Sequence, residues 1–577
     1  MFFAELMQRR TQWLFSLSAR VLVFLAVGAD GLAFVPKSSA ATNDVPVIGI
    51  KLNDYLAQVM QHNESVQAQM LETEVARHKN KAEAGIFEPE FQAAYTRESN
   101  QRTNNVQQQA QQNGQGYFSE RNNIYDFGVE DLIPTGGKIR LGYTLSDLAN
   151  NVNPNASFLT STNGYWSKQY QTFVGVTFTQ PILKNGWLTP TLANLRLSAL
   201  ESDIAFQEYR QQLMVTVFRA ESAYWNLYFS QEQVHFFDQS VAVAQNVLDD
   251  SREKLKAGQG AELDVLEAQS ALALRYTKRN DALQSYYDAQ GALRVLLGNP
   301  TPLRHYYDPL GNQQVRLDTS IPQHLAGPSE PVFRVTDTPR ETSPAISYAD
   351  NYQEAFDLNP DYLIQQKKLD EERVRLGVAK NQLLPNLDFK TAYGFNGLGL
   401  TTDSSWNMAQ QQTYPSWLIG VELSVPLGGN IKGRNLYQAS KLSLDAAYIR
   451  LKGVQTEIAN GLNTSIEKAE AWEQSIQSYQ TVVHFNEELL KTQLERLKAG
   501  RVDGHKVLEV EADLLDARQE LANALTQYQR SLLQVEVTVG SILKNHNLDI
   551  TREELRRQTT AMLHGVSAAA LSSPSAN

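Results

Sequence analysis

The sequence contains no cysteine, which excludes disulfides, thiolate metal sites and a lipidated N-terminal cysteine together. Any attachment to a membrane must then come from the fold itself. Basic residues are outnumbered, 52 Lys and Arg against 63 Asp and Glu, and the net charge of −11 gives a nucleic-acid partner no electrostatic support. Beyond residue 41 no long apolar run occurs, which excludes a helical membrane protein. The nine histidines, among them His62, His235, His484 and His505, fall at no metal-ligand spacing. Gly394, Gly397 and Gly399 lack the strand-then-helix setting of a nucleotide loop, and Gly136-Gly137-Lys138 lacks the Ser or Thr of a phosphate loop. No nucleophile, base and orienting group can be assembled, so neither catalysis nor a cofactor is expected.

Residues 1–41 read as a secretory signal peptide. Arg9, Arg10 and Arg20 precede an apolar run from Val21 to Val35, and Ser38-Ser39-Ala40 offers small residues for cleavage. Asp30 interrupts that run, which is short for a membrane anchor of about 20 apolar residues.

The organising feature occurs twice. Glu253 to Leu272 (EKLKAGQGAELDVLEAQSAL) aligns without a gap on Glu495 to Leu514 (ERLKAGRVDGHKVLEVEADL) at an offset of 242 residues. Each copy has a heptad-like segment, an Ala-Gly stop at Gly258 or Gly500, a few polar residues and a fresh helix starting near Val265 or Val507. Glycine just past a helix end takes the left-handed conformation other residues resist, so each copy predicts a helical hairpin. A second correspondence precedes it. Ile50 to Gly85 and residues 346–384 both carry helical spacing and end before a proline, with Asn63 matching Asn359 and Pro89 matching Pro385 at one shared offset of 296.

After each proline the period changes to two. Phe389, Thr391, Tyr393 and Phe395 alternate with Asp388, Lys390, Ala392 and Gly394, and Trp417, Ile419, Val421 and Leu423 do the same further on. Val174, Val176 and Phe178 alternate likewise in the first half, and Tyr125 to Leu145 reads as a hairpin around Pro134-Thr135-Gly136-Gly137. A strand with one apolar face more commonly belongs to a soluble sandwich. Here the strands are few, flanked by very long helices and accompanied near their ends by Trp166, Tyr170, Trp406, Tyr414 and Trp417, which with the exported leader favours a membrane barrel with a wet lumen.

Each half's last strand ends in a proline, Pro181 or Pro426, followed by a glycine-containing bend and a helix predicted from Leu188 to Lys256 or from Ile431 to Lys498. At 1.5 Å per residue such rods extend about 100 Å, more than one globular core needs. The return helix of the second half has Leu521, Leu525, Tyr528, Leu532, Val535, Val539 and Ile542 stepping by four and three, a coiled-coil seam. Pro300 to Pro344 holds eight of the 20 prolines and reads as a connector wrapping the outside of the rods. The expected organisation is a first repeat at 48–300, a Pro-rich connector at 301–345, a second repeat at 346–545 and a disordered tail at 546–577.

Helix, proline, strands, bend, long helix, Ala-Gly hairpin and helix, repeated twice behind a signal peptide, resembles the TolC-like outer-membrane efflux family over about residues 48–545. The carriers are Gln180-Pro181-Ile182-Leu183, Val425-Pro426-Leu427-Gly428-Gly429 and the paired Leu-Lys-Ala-Gly hairpins followed by Asp264-Val265-Leu266-Glu267 and Val507-Leu508-Glu509. The resemblance implies a mixed α and β membrane protein: a homotrimer whose three chains share one transmembrane β-barrel and one long periplasmic α-helical, coiled-coil tunnel. It further implies the exit channel of a tripartite efflux or type I secretion system, passive, served by a periplasmic adaptor and an inner-membrane pump that selects the cargo. The extra hairpin near 125–145 exceeds the family's usual four strands per subunit and either enlarges the barrel or stands outside it. An exported, non-conducting coiled-coil scaffold or adhesin is the other function weighed.

In the family the hairpin tips form a closed periplasmic entrance held by charged and polar contacts. Carried over position by position, the resemblance places the gate at Asp264, Glu267, Lys506 and Glu509, the hairpin turns at Gly258 and Gly500, and the barrel-to-tunnel bends at Pro181 and Pro426. Lys506 departs from the acidic residue the family tends to have there. Charges that only solvate helix ends are the plainer reading of the same residues.

Overall fold

The computed structural model describes residues 47–111, 116–151, 167–187, 190–298, 305–307, 313–315 and 332–563. The leader expected at 1–41, Trp166 and most of the connector lie outside the described residues. The chain begins with β1 (Val47–Ile50), α1 (Leu52–His62) and α2 (Glu64–Glu83), then β2 (Glu90–Thr103), the short α3 (Val106–Gln111), β3 (Tyr117–Leu132), β4 (Lys138–Asn150) and β5 (Ser167–Pro181). The long helix α4 (Pro190–Lys256) turns back into α5 (Glu262–Leu297), and β6 (His305–Tyr307), β7 (Gln313–Val315) and β8 (Val332–Val335) follow. The second half runs α6 (Tyr348–Leu358), α7 (Pro360–Asn381), β9 (Asn386–Gly399), α8 (Thr402–Gln410), β10 (Pro415–Ser424), the long α9 (Ile431–Lys498), α10 (Gly504–Val539), α11 (Ile542–Asn545) and α12 (Arg552–Leu563). The rods of 67 and 68 residues and the return helices of 36 residues each repeat the same plan. Among the described residues no helix is long and apolar enough to cross a membrane.

Three expectations need correction. The helices expected to run unbroken over 50–85 and 346–384 each break at the matched asparagine. Asn63 Oδ1 accepts from the Ser65 and Val66 backbone N–H groups, and Asn359 Oδ1 accepts from Tyr362 N, so each caps a new helix. The second amide hooks the break to the return helix of its own repeat: Asn63 Nδ2 donates to Leu296 O at 3.1 Å, and Asn359 Nδ2 to Thr538 O at 2.9 Å. Apolar spacing continues through the first break because Tyr55, Leu56, Val59, Val66 and Met70 face one core from two helices. Secondly, β2 is a strand the alternation did not disclose. Thirdly, the tail expected to be disordered from 546 contains α12, whose Leu555 is buried in the main core.

That core lies where α1 and α2 meet the middle of α4, around Tyr209, Leu213, Val217, Tyr224 and Leu227, closed by Leu293, Leu533, Ile542 and Leu543. The end of the connector lies against the first coiled-coil pair: β8 runs parallel to β1, Phe333 N donates to Gln290 Oε1 at 3.1 Å, and Val335 N donates to Gln231 Oε1 at 3.2 Å.

The main sheet has six strands in the order β2-β3-β4-β5-β9-β10, so the hairpin near 125–145 sits inside it, and β5 beside β9 joins the two repeats. One row crosses all six strands as Phe91, Val129, Leu141, Val176, Tyr393 and Trp417. Side chains alternate between faces, so this row belongs to an apolar face while Glu130, Arg140, Lys390 and Glu422 occupy the other. Phe91 is 67% and Trp417 71% exposed, and no second sheet covers them among the described residues. The soluble-sandwich alternative has no counterpart here. Trp406, expected near a strand end, lies on α8, which folds onto the apolar face with its indole against Tyr143 and Ser405 Oγ 2.9 Å from Thr172 Oγ1.

Candidate functional site at the hairpin tips

The two hairpins turn alike. Gly258 and Gly500 adopt φ of 71° and 67°. Gly258 N donates to Leu255 O and Gln259 N to Lys254 O; Gly500 N donates to Leu497 O and Arg501 N to Arg496 O. These bonds satisfy the last carbonyls of both rods, as a glycine C-cap should. Lys254 and Lys256, and Arg496 and Lys498, sit in the last turns where the helix dipole favours cations.

Above the turns the hairpins pack on each other. Ala244, Val247, Leu248 and Ala268 of the first meet Leu497, Val507 and Leu508 of the second, and Lys254 Nζ donates to Leu497 O at 3.3 Å. A cleft of about 630 Å³ remains between them, into which four carboxylates converge: Asp264, Glu267, Asp503 and Glu509. Three of the four gate positions expected from sequence are thus brought together from two repeats. Lys506 does not line the cleft. It reaches along its own helix to Glu509 at 2.6 Å, and this hydrogen bond and charge hold the Glu509 carboxyl below the usual carboxylate range. Asp264 Oδ2 accepts from Ala261 N at 3.1 Å, closing the first turn of α5. Glu267 Oε2 stands 3.8 Å from His505 Nδ1.

The charges buried behind the cleft were not singled out from sequence. Arg275 and Glu511 are 8% and 4% exposed. Arg275 Nε donates to Glu511 Oε2 at 2.9 Å and to Ser240 Oγ at 3.1 Å, while Nη2 reaches the same carboxylate and Leu508 O. A signal was present: Ala268, Arg275, Ala282 and Ala289 form the buried seven-residue seam of α5, in which arginine is the odd member.

At the other end of the rods the two bends are fastened to one place. Pro181 closes β5, and beyond it Asn185, at φ 64°, donates its backbone N–H to Asn381 Oδ1 (2.7 Å) and accepts at its own Oδ1 from Gln382 Nε2 (2.6 Å). After Pro426, Asn430 at φ 53° caps α9 through Gly433 N and donates to the Gln382 and Leu383 carbonyls. The end of α7 therefore sets the angle of both long helices against the sheet.

The paired rods, the mixed sheet and the duplicated hairpins can be set beside known proteins. The model of the outer membrane efflux protein family matches residues 139–299 and 351–541. Outer membrane protein TolC of Vibrio cholerae is 24% identical over 395 residues, covering 65% of this chain and 78% of its own. The Campylobacter jejuni CmeC outer membrane channel superposes with a TM-score of 0.55 at 15% identity, covering 94% of this chain and 98% of that one. The outer-membrane channel OprN gives 0.57 at 15% identity, covering 89% and 98%. The open state of the Neisseria gonorrhoeae MtrE outer membrane channel gives 0.52 at 13% identity, covering 87% and 93%. With more than half its residues matched by the family model, the chain belongs to the outer membrane efflux protein family.

Proposed function

We propose that three copies of this chain close one transmembrane β-barrel edge to edge and one helical tunnel beneath it, forming a passive exit duct. The protein resides in the outer membrane of a Gram-negative cell and reaches into the periplasm, as its family does. The observation that carries the reading is the six-stranded sheet, apolar on one face and polar on the other, with β2 and β10 paired on one side only. Open edges in lipid leave backbone N–H and C=O groups unsatisfied at several kcal/mol each, so the sheet is compatible with a bilayer only when closed. Six strands from each of three copies give eighteen, enough to enclose water. All six strands enter the sheet, so the additional hairpin is counted as part of the barrel wall.

The duct would serve a tripartite efflux or type I secretion system, with a periplasmic adaptor and an energised inner-membrane pump supplying cargo. Its entrance would be the acidic cleft at Asp264, Glu267 and Glu509, with Lys506 tempering the charge and Gly258 and Gly500 fixing the turns. Pro181 and Pro426 would mark the passage from barrel to tunnel. Detergent-extracted protein should have a mass near three times the 64.7 kDa chain and should insert single channels into planar bilayers. A monomer that stays soluble without detergent and conducts nothing would overturn the reading.

A further inference from the structure

Within one chain α5 packs on α4, α4 on α10 and α10 on α9, so α5 and α9 are the outer members of a row of four helices. The middle contact joins the rod of the first repeat to the return helix of the second. Its counterpart, the rod of the second repeat against the return helix of the first, would set α9 against α5, and these stand at opposite ends of the row.

The duplication lets that counterpart be read residue by residue. The rods end at Lys256 and Lys498 and the return helices run Glu262–Leu297 and Gly504–Val539, so the offset of 242 holds through both hairpins. On α10 the face turned to the first hairpin carries Leu508, Glu511 and Leu515, all buried. The offset positions on α5 are Leu266, Gln269 and Ala273, all exposed. On α4 the facing positions are Ser240 and Val247, 2% and 1% exposed, whereas Val482 and Leu489 on α9 are 44% and 43% exposed. Positions that are core in the contact made within the chain are thus uncovered at both outer edges, where Leu266, Val482 and Leu489 keep them apolar. Apolar side chains at helical spacing on an exposed face mark an interaction surface. A contact of return helix on rod is head-to-tail and closes into a ring, so a second copy of this chain is the occupant that continues the in-chain interface.

The two seams differ in one respect. Within the chain Arg275 of α5 holds Glu511 of α10 and Ser240 of α4. The offset positions are Ala517, Gln269 and Val482, so the seam between copies has neither charge of that pair. Opening the in-chain seam would part a buried guanidinium from its carboxylate, and opening the other strands no charge at these positions.

We propose that Leu266 of α5 and Leu489 of α9 mark the surface on which the next copy docks, and that this seam is the one that yields when the hairpin ends separate. The proposal rests on the trimeric channel above and adds which seams of its tunnel are fixed.

Cross-linking tests both parts, because the chain contains no cysteine of its own. A Cβ at Gly504 would lie 2.8 Å from Val247 Cγ1, so V247C/G504C puts two thiols within disulfide reach inside one chain. The offset pair is E262C/L489C. Detergent-solubilised full-length E262C/L489C, oxidised with copper phenanthroline and oxygen, should migrate on denaturing gels at about three times the 64.7 kDa chain and return to it with dithiothreitol. V247C/G504C should stay at the chain mass with its thiols consumed. An E262C/L489C protein that remains at the chain mass overturns the surface. Benzoylphenylalanine in place of Leu489 checks the same contact without a disulfide: photoproducts should join α5 of another copy, and products confined to one chain overturn the surface. In planar bilayers, reducing oxidised E262C/L489C should raise conductance and reducing V247C/G504C should not; equal responses overturn the yielding seam. Wild-type mass separates this surface from the channel reading: a conducting trimer whose copies do not link here overturns only the surface, and a monomer overturns both.

Discussion

Arg275 of α5 and Glu511 of α10 are joined in a buried ion pair across the two repeats, held at 2.9 Å through Nε and fixed further by Ser240 Oγ and the Leu508 carbonyl. Two hairpins that each fold locally are locked to each other by this contact. Burying the two charges is costly, and its effect lies less in net stability than in what happens when one partner is lost.

Glu511→Ala should therefore destabilise the hairpin region by about 3–5 kcal/mol, because a guanidinium remains buried without a counter-charge. Arg275→Met combined with Glu511→Leu should recover most of the loss. Hydrogen exchange of α5 and α10 residues near the tips reads both variants; equal exchange in wild type and Glu511→Ala would show that the pair does not hold the hairpins together.

Replacing Asp264 and Glu509 by alanine should raise the single-channel conductance of the reconstituted trimer, since both carboxylates converge on the cleft at the hairpin tips. Unchanged conductance would mean that these charges only solvate helix ends. The pH response has a definite sign: Lys506 lowers the Glu509 pKa, so their contact is present above that lowered value and is lost only as pH falls through it, beyond the range where an ordinary glutamate takes up its proton.

His546, between Glu221 of α4 and Glu536 of α10, predicts a second pH effect. Burial disfavours its charge, but the Glu221 carboxylate, with Oε2 3.1 Å from Nε2, and the Glu536 carboxylate outweigh burial and the opposing Arg340, so its pKa is raised above 6.5. Burial raises the Glu536 pKa too, despite an Asn545 hydrogen bond and His546. Both groups bind protons more tightly folded than unfolded, so both contributions are lost as pH rises. For His546 the contribution is complete below 6.5 and disappears through its raised folded value. The thermal midpoint should fall from pH 6 to pH 8 in wild type and change less in His546→Gln; parallel slopes would remove His546 from the account.

Asn63→Ala and Asn359→Ala should each cost about 1–2 kcal/mol, from a lost helix cap together with the bond to Leu296 or Thr538. The glycines that end α5 and α10 belong to the same joints. Gly298 and Gly540 have φ of 68° and 89°, and a Cβ there would lie 2.4 Å from His62 O or 2.7 Å from Leu358 O. Alanine at either glycine should thus be more damaging than at Gly258 or Gly500, where nothing stands within 4 Å and only backbone strain of about 1–2 kcal/mol remains. Thermal unfolding of the four single variants tests this order.

Much of the architecture was legible because it is written in local periods. The hairpin glycines, the rod ending at Lys498 and the strands around Tyr393 and Val421 each carry a spacing or a stop that only one element satisfies. Strand β2 was not legible because its alternation is almost wholly polar; Phe91 and Tyr95 stand out only once the sheet places them beside Val129 and Tyr125. Leu555 looked like part of a polar tail, since one leucine among charged residues has no local meaning until α2 and α4 supply a core for it.

Taken alone, the amino-acid sequence determined the duplication, the helical and two-residue periods, the turns at Gly258 and Gly500 and the bends at Pro181 and Pro426, because each depends on neighbours a few residues apart. Tertiary structure decided the partners. It set β5 beside β9, fastened both bends to the end of α7 and paired Arg275 with Glu511. Such contacts join residues that are distant in the chain, and a side chain's spacing on its own helix or strand fixes which way it faces but not what it meets there.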